Sequence, residues 1–213
     1  ERLAQMAGML KLGTMSRVVA YDDEGSGCAA RLAWTLHYLG YESVQVLNGG
    51  LQAWTDEGHP VGDRPVLPDV AATLALASRN PSVLTDHTYV RQHLDDESVV
   101  LLDARTPEEY AGTKVRAARG GHIPGAVNLN WLDTIDKNRS LRLKSPEILS
   151  NALKTLGVRP EQEVITYCHS HHRSAHAWLM LKSIGFPRVR GYAGSWSEWG
   201  NHPHTPVTTG TSP

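Results

Sequence analysis

One stretch of this chain occurs twice, and nothing else in the sequence limits the fold as strongly. Residues 17–54 read RVVAYDDEGSGCAARLAWTLHYLGYESVQVLNGGLQAW, and residues 163–199 read EVITYCHSHHRSAHAWLMLKSIGFPRVRGYAGSWSEW. Both pass through a short β-rich run, a polar loop, a helical stretch, a glycine followed by an aromatic residue, a second short strand, another glycine and a turn ending in tryptophan. Tyr21 pairs with Tyr167, Gly40 with Gly185, Gly49 with Gly194 and Trp54 with Trp199, the first polar loop being one residue longer. Units of strand, loop, helix and strand bury their apolar faces together in a parallel sheet covered by helices. The expected class is α/β, with two related domains, each a parallel sheet flanked by helices.

The second copy is preceded by more of the same architecture. VVLLDAR (99–105) is a continuous apolar run of the kind found in a strand buried on both faces. GGHIPGAVNLNW (120–131) supplies turn glycines and a short strand. SPEILSNALKTLG (145–157) has a serine at the N-cap position, proline just inside and a terminal glycine, so a helix is predicted. Before the first copy only that helix has a counterpart, in residues 1–13, and nothing corresponds to 99–105 or 120–131. The expectation is that the chain enters its first domain part-way through. Residues 1–61 would form the C-terminal half of one domain, 62–83 a proline-bearing connection packed against the domains, and 84–213 a complete domain.

A net charge of -1 gives no global attraction to nucleic acid or to an anionic membrane, so any anion site must be local. No apolar run approaches the ~18 residues of a membrane-spanning helix. The opening ERLAQMAGMLKLG lacks the basic start, apolar core and cleavage site of a signal peptide. A cytoplasmic monomer is expected. Cys28 and Cys168 are the only cysteines, too few for a disulfide framework, and free thiols in a reducing compartment are the expected state. Eleven histidines raise the question of zinc, but no C-x2-C or H-E-x-x-H spacing occurs, and neither a metal nor another cofactor is expected.

The residues with chemistry lie in CHSHHRS (168–174), between a strand and the start of a helix whose apolar face carries Ala177, Leu181 and Ile184. A loop there can turn successive N–H groups inward at the positive end of the helix dipole. That setting favours a thiolate. Arg173 adds a permanent charge with several donors, and His169, His171 and His172 add further donors.

With LLDAR, EEY and GGHIPGAVN upstream and GYAGSWSEW downstream, this C-x4-R loop resembles the catalytic domain of the rhodanese family. The resemblance covers essentially the whole chain, with the first repeat as a degenerate copy. It implies that a cysteine attacks the outer sulfur of thiosulfate and sulfite leaves. The persulfide, held by loop N–H groups, then passes to cyanide or another thiophilic acceptor such as a thiol. Carried over by position, Cys168 is the nucleophile and Arg173 the anion binder, with His169, Ser170, His171, His172 and Ser174 completing the substrate-holding loop. Asp103 and Arg105 are expected to brace the loop as an ion pair, and His122 to make a structural hydrogen bond. Cys28 falls within the first helix and is expected to pack there.

At the first loop Asp22 stands where the second has Cys168, followed by Asp23 and Glu24. There is no nucleophile, and three carboxylates repel an anionic substrate. The first domain should be catalytically silent and should cover one side of the site. Phosphatases of a related fold use the longer C-x5-R loop. Mercaptopyruvate sulfurtransferases carry a neutral loop and an arginine before the aromatic residue of the upstream motif, where this chain has Glu109 before Tyr110. Thiosulfate is therefore the expected donor, 3-mercaptopyruvate the alternative within the enzymes, and a non-catalytic sulfur-binding module the alternative outside them.

Overall fold

The computed structural model describes residues 17–63 and 79–213. The helix expected in residues 1–13 and most of the connection lie outside the described residues. The first repeat folds as β1 (Val18–Ala20), α1 (Gly27–Tyr38), β2 (Val44–Val46) and α2 (Gly50–Asp56), with β1 and β2 paired in parallel. The second repeat is β8 (Glu163–Tyr167), α6 (Arg173–Ser183), β9 (Val189–Tyr192) and α7 (Ser195–Trp199). Between them run β3 (Leu84–Thr85), α3 (His87–Gln92), β4 (Val99–Asp103), α4 (Pro107–Ala111) and β5 (Val127–Asn128). The short antiparallel pair β6 (Ile135–Asp136) and β7 (Arg142–Leu143) and the helix α5 (Pro146–Thr155) follow. The main sheet is parallel throughout, in the order β3-β9-β8-β4-β5.

Local chemistry sets the element ends. α1 and α6 stop in the same way: Gly40 and Gly185 take left-handed φ of 82° and 92°. The next residue then turns back onto the helix, Tyr41 N–H to the Leu36 carbonyl at 2.8 Å and Phe186 N–H to that of Leu181 at 3.0 Å. Thr106 and Glu109 form a capping box at the start of α4. Ser145 holds the N-cap position of α5 without a side-chain cap bond, and Pro146 supplies the preset first turn.

β4 and β8 lie inside the sheet, which is why their sequences are apolar without alternation. One face is covered by α5, α6 and, from the first repeat, α1: Ala30 and Trp34 share a core with Leu102, Val164, Ala177 and Leu181. The other face packs Leu101, Tyr110, Ile165, Tyr167, Trp196 and Trp199. The first repeat differs on this second face. Val19, Tyr21 and Trp54 are 52%, 62% and 37% exposed, whereas their counterparts Ile165, Tyr167 and Trp199 are fully buried, so among the described residues nothing covers that side. Cys28 lies in α1 as expected but is exposed, not packed, because its position faces away from the shared core. The described end of the connection packs against α1: the Trp34 indole donates to the Val83 carbonyl at 2.9 Å and Asn80 N–H to that of Tyr38 at 2.8 Å.

Candidate active site

β8 delivers Cys168 to the C-terminal edge of the sheet and α6 begins at Arg173, leaving a tight loop between them. Cys168 is 1% exposed. Its N–H donates to Ser195 Oγ at 3.3 Å and its carbonyl accepts from Trp196 N–H at 2.9 Å, so the first residues of α7 hold it from both sides. Among the described residues, no backbone N–H from His169 through Ser174 donates to a protein acceptor. Successive N–H groups without a protein acceptor, beside a thiol at a helix start, are the chemical elements from which an anion site can be built.

The histidines separate by burial. His171 takes φ 60°, the left-handed turn that curls the loop, and is fully buried. Its Nδ1 lies 2.7 Å from Ser174 Oγ and its ring meets Trp34 edge-on at 4.4 Å. Position 191 must be glycine, since a Cβ there would come within 2.3 Å of the His171 ring. Burial pushes its pKa well below the ordinary histidine value, so the ring is neutral. The expectation that His171 offers a side-chain donor to substrate is thus amended: the ring is an internal strut, and so is Ser174, whose carbonyl accepts from Thr166 Oγ1. His169 is half-buried, its Nδ1 has no partner among the described residues, and burial lowers its pKa, with Glu109, Arg173 and Arg116 acting on it as well. Ser170 and His172 are exposed, 3.5 Å apart through Oγ and Nδ1.

Arg173 is not a free counter-charge. Both its terminal nitrogens meet the carboxylate of Glu109, at 2.6 and 3.1 Å, and Arg116 approaches the same carboxylate at 3.2 Å. Burial alone would raise the Glu109 pKa. The hydrogen bonds and charge of Arg173, the Thr106 N–H and Arg116 override it and hold the carboxyl at about 2. The cluster at the start of α6 thus carries two guanidiniums and one carboxylate. Asp103 and Arg105 do form a buried pair, Nε at 3.0 Å from both carboxylate oxygens and Nη2 at 2.5 Å from Oδ2. Arg105 also donates to the Gly121 carbonyl at 2.7 Å and lies over Trp196, fastening the β4 end to the turn beyond it. His122 Nδ1 sits 2.9 Å from the Tyr110 carbonyl.

The first repeat supplies a contrast. The Asp22 carbonyl accepts from Leu51 N–H at 2.8 Å, as that of Cys168 does from Trp196, so the two positions are structurally equivalent. Here, however, the Asp22 carboxylate accepts the N–H groups of Ser26 at 2.8 Å, Ala29 at 2.9 Å and Glu24 at 3.2 Å. The loop is occupied by the protein's own anion. Arg31 and Trp34 reach from this first repeat to the Cys168 loop. Neither they nor Arg116 stand out in the sequence, for no motif marks a contact between residues 139 apart. Among the described residues no cluster could hold a metal ion.

A family model for the Rhodanese-like domain matches residues 3–57 and 86–202. The chain belongs to the rhodanese-like family. It is 46% identical over 189 residues to a thiosulfate sulfurtransferase of Pseudomonas aeruginosa, covering 89% of this chain and 68% of the relative. It is 42% identical over 207 residues to a thiosulfate sulfurtransferase of Azotobacter vinelandii, covering 97% and 75%. A solved structure of an EanB variant with a cysteine persulfide, in a tetrahedral intermediate state with ergothioneine, superposes with a TM-score of 0.86 at 26% identity. That match covers 97% of this chain, which spans 54% of the other. No helix among the described residues is long and apolar enough to cross a membrane.

Proposed function

We propose that this rhodanese-like protein is a thiosulfate sulfurtransferase whose sulfur carrier is Cys168. The observation that carries the reading is the run of unpaired N–H groups from His169 to Ser174 around a buried thiol. The Cys168 thiolate attacks the outer sulfur of thiosulfate. A sulfur–sulfur bond forms, the bond within thiosulfate breaks, and sulfite leaves with its electron pair. The persulfide rests among the loop N–H groups until cyanide or another thiophilic acceptor takes the outer sulfur and the thiolate is released. Donors aimed at developing negative charge act in both steps. The Glu109–Arg173–Arg116 cluster keeps a net positive charge beside the loop for a dianionic donor, and His169 lies within its electrostatic reach. The relatives named thiosulfate sulfurtransferases and the persulfide in the related structure support this chemistry. Residues 1–61 act as the silent domain, 62–83 as the connection and 84–213 as the catalytic domain, and the free cysteines suit a reducing cytoplasm.

The test is to incubate the protein with thiosulfate, measure the intact mass and map the added sulfur by peptides. One sulfur on Cys168 is expected. Cys168→Ser should abolish transfer to cyanide and Cys28→Ala should preserve it. A sulfur found mainly on Cys28, or none on a folded protein, would sink the mechanism. A higher kcat/KM for mercaptopyruvate or for an aryl phosphate than for thiosulfate would reassign the substrate.

A further inference from the structure

The silent repeat places one cation against the Cys168 loop. Arg31, on α1, donates from Nη1 to the carbonyls of Ser170 and His171, both at 3.1 Å. In a trans peptide the C=O and N–H point in opposite directions. A carbonyl of Ser170 drawn towards Arg31 therefore turns the His171 N–H away from it. A carbonyl of His171 drawn the same way turns the His172 N–H likewise. Both N–H groups belong to the unpaired run around the thiol. A cation on the carbonyl side also polarises each peptide and strengthens its N–H as a donor. His171 has a left-handed φ of 60°, a conformation unfavourable for a residue with a side chain, and the two carbonyls that Arg31 holds are those on either side of its Cα.

Arg31 is well aimed, although burial lowers its pKa somewhat. Its guanidinium lies 5.3 Å from the Trp34 ring centroid, and that indole is fixed by the Val83 carbonyl on one side and the His171 ring on the other. Among the described residues no carboxylate is within ion-pair distance of Arg31, whereas Arg173 is clasped by Glu109.

We infer that Arg31, contributed by the catalytically silent repeat, is a positioning residue for sulfur transfer, holding the Ser170 and His171 carbonyls so that the next two N–H groups face the sulfur on Cys168. The inference rests on Cys168 being the persulfide carrier.

The test uses the full chain with Arg31→Met, which keeps the apolar stem on Trp34, Arg31→Lys, which restores charge and donors, and Glu57→Gln as a control. Glu57, at the end of α2, pairs with Arg142 on β7, and neither residue belongs to the Cys168 loop. Arg31→Met should lower kcat/KM for thiosulfate about 10- to 100-fold and shorten the persulfide lifetime. Arg31→Lys should recover much of both, and Glu57→Gln should leave both near wild type at a similar small change in Tm. Wild-type rates in Arg31→Met, an equal loss in Glu57→Gln, or no recovery in Arg31→Lys would each overturn the inference. If Arg31→Met does not fold, Arg31→Gln, which removes the charge at near-equal bulk, takes its place with the same expected loss. A wild-type protein that thiosulfate does not load would instead overturn the Cys168 reading itself.

Discussion

Glu109→Gln separates two jobs that one carboxylate could do for Arg173: restraining its charge or aiming it. The substitution keeps the shape and one oxygen acceptor but removes the charge. In the native protein this carboxyl is held at about 2 against an ordinary 4.5. At about 1.4 kcal/mol for each tenfold change in proton affinity, that corresponds to about 3 kcal/mol. Glu109 is buried, but Arg173 is 21% and Arg116 51% exposed, so water screens the gain to about 1–2 kcal/mol. The variant should melt roughly 2–8 °C lower. The folded carboxyl is more acidic than the unfolded one. Its contribution is therefore complete above about pH 4.5 and disappears as pH falls through about 2, and the gap in stability between wild type and variant should close across that window. Beside the loop, one elementary charge less of shielding against a dianion is worth about 1 kcal/mol. KM for thiosulfate should accordingly fall about fivefold at low salt, less at high salt. Steady-state kinetics at two ionic strengths and denaturant midpoints across pH decide it. A KM that rises in a folded variant would refute the restraint argument and make Glu109 the group that aims Arg173.

Two further predictions concern buried charges. Asp103→Ala strands the Arg105 guanidinium in the core, which should cost about 3–5 kcal/mol and be visible calorimetrically; the double variant Asp103→Leu/Arg105→Met should be less damaged than the single one, and equal or greater damage would disprove the pairing. His176 is fully buried, with Nε2 2.8 Å from Thr134 Oγ1, and burial holds its pKa at about 4. The unfolded chain takes up that proton near pH 6.5 and the folded chain only near 4, so acidification through this range should weaken folding by up to about 3 kcal/mol. His176→Leu should reduce the slope of the urea midpoint against pH between those limits, and an unchanged slope would show that the ring is not held neutral.

Features set by short-range rules could be read directly from the sequence. The unbroken apolar run of β4, the proline and glycine that bracket α5, the twin glycine stops of α1 and α6 and the pairing of Asp103 with Arg105 two positions on all follow from local geometry. The loop CHSHHRS was legible as a site because strand end, thiol and helix start lie together in the chain. What was not legible depends on distant packing. His169, His171 and His172 are the same residue type in one short loop, and only Trp34 from the other repeat and the bare Gly191 make His171 a strut. Glu109 read as a mark of substrate choice, yet its clasp on Arg173 joins residues 64 apart. The exposure of Cys28 depends on which side of α1 meets the second repeat, which its position within the helix does not disclose.

The Asp22 carboxylate can be viewed as a tethered inhibitor. A ligand attached to the strand that ends in its own binding loop competes at an effective concentration far above that of any anion in solution. Thiosulfate in solution competes poorly for the N–H groups of Ser26 and Ala29, because the carboxylate that accepts them stays attached beside them. The two repeats thus present equivalent strand ends in two conditions: in the first the loop N–H groups are taken by the strand's own carboxylate, and in the second the N–H groups after Cys168 have no protein acceptor.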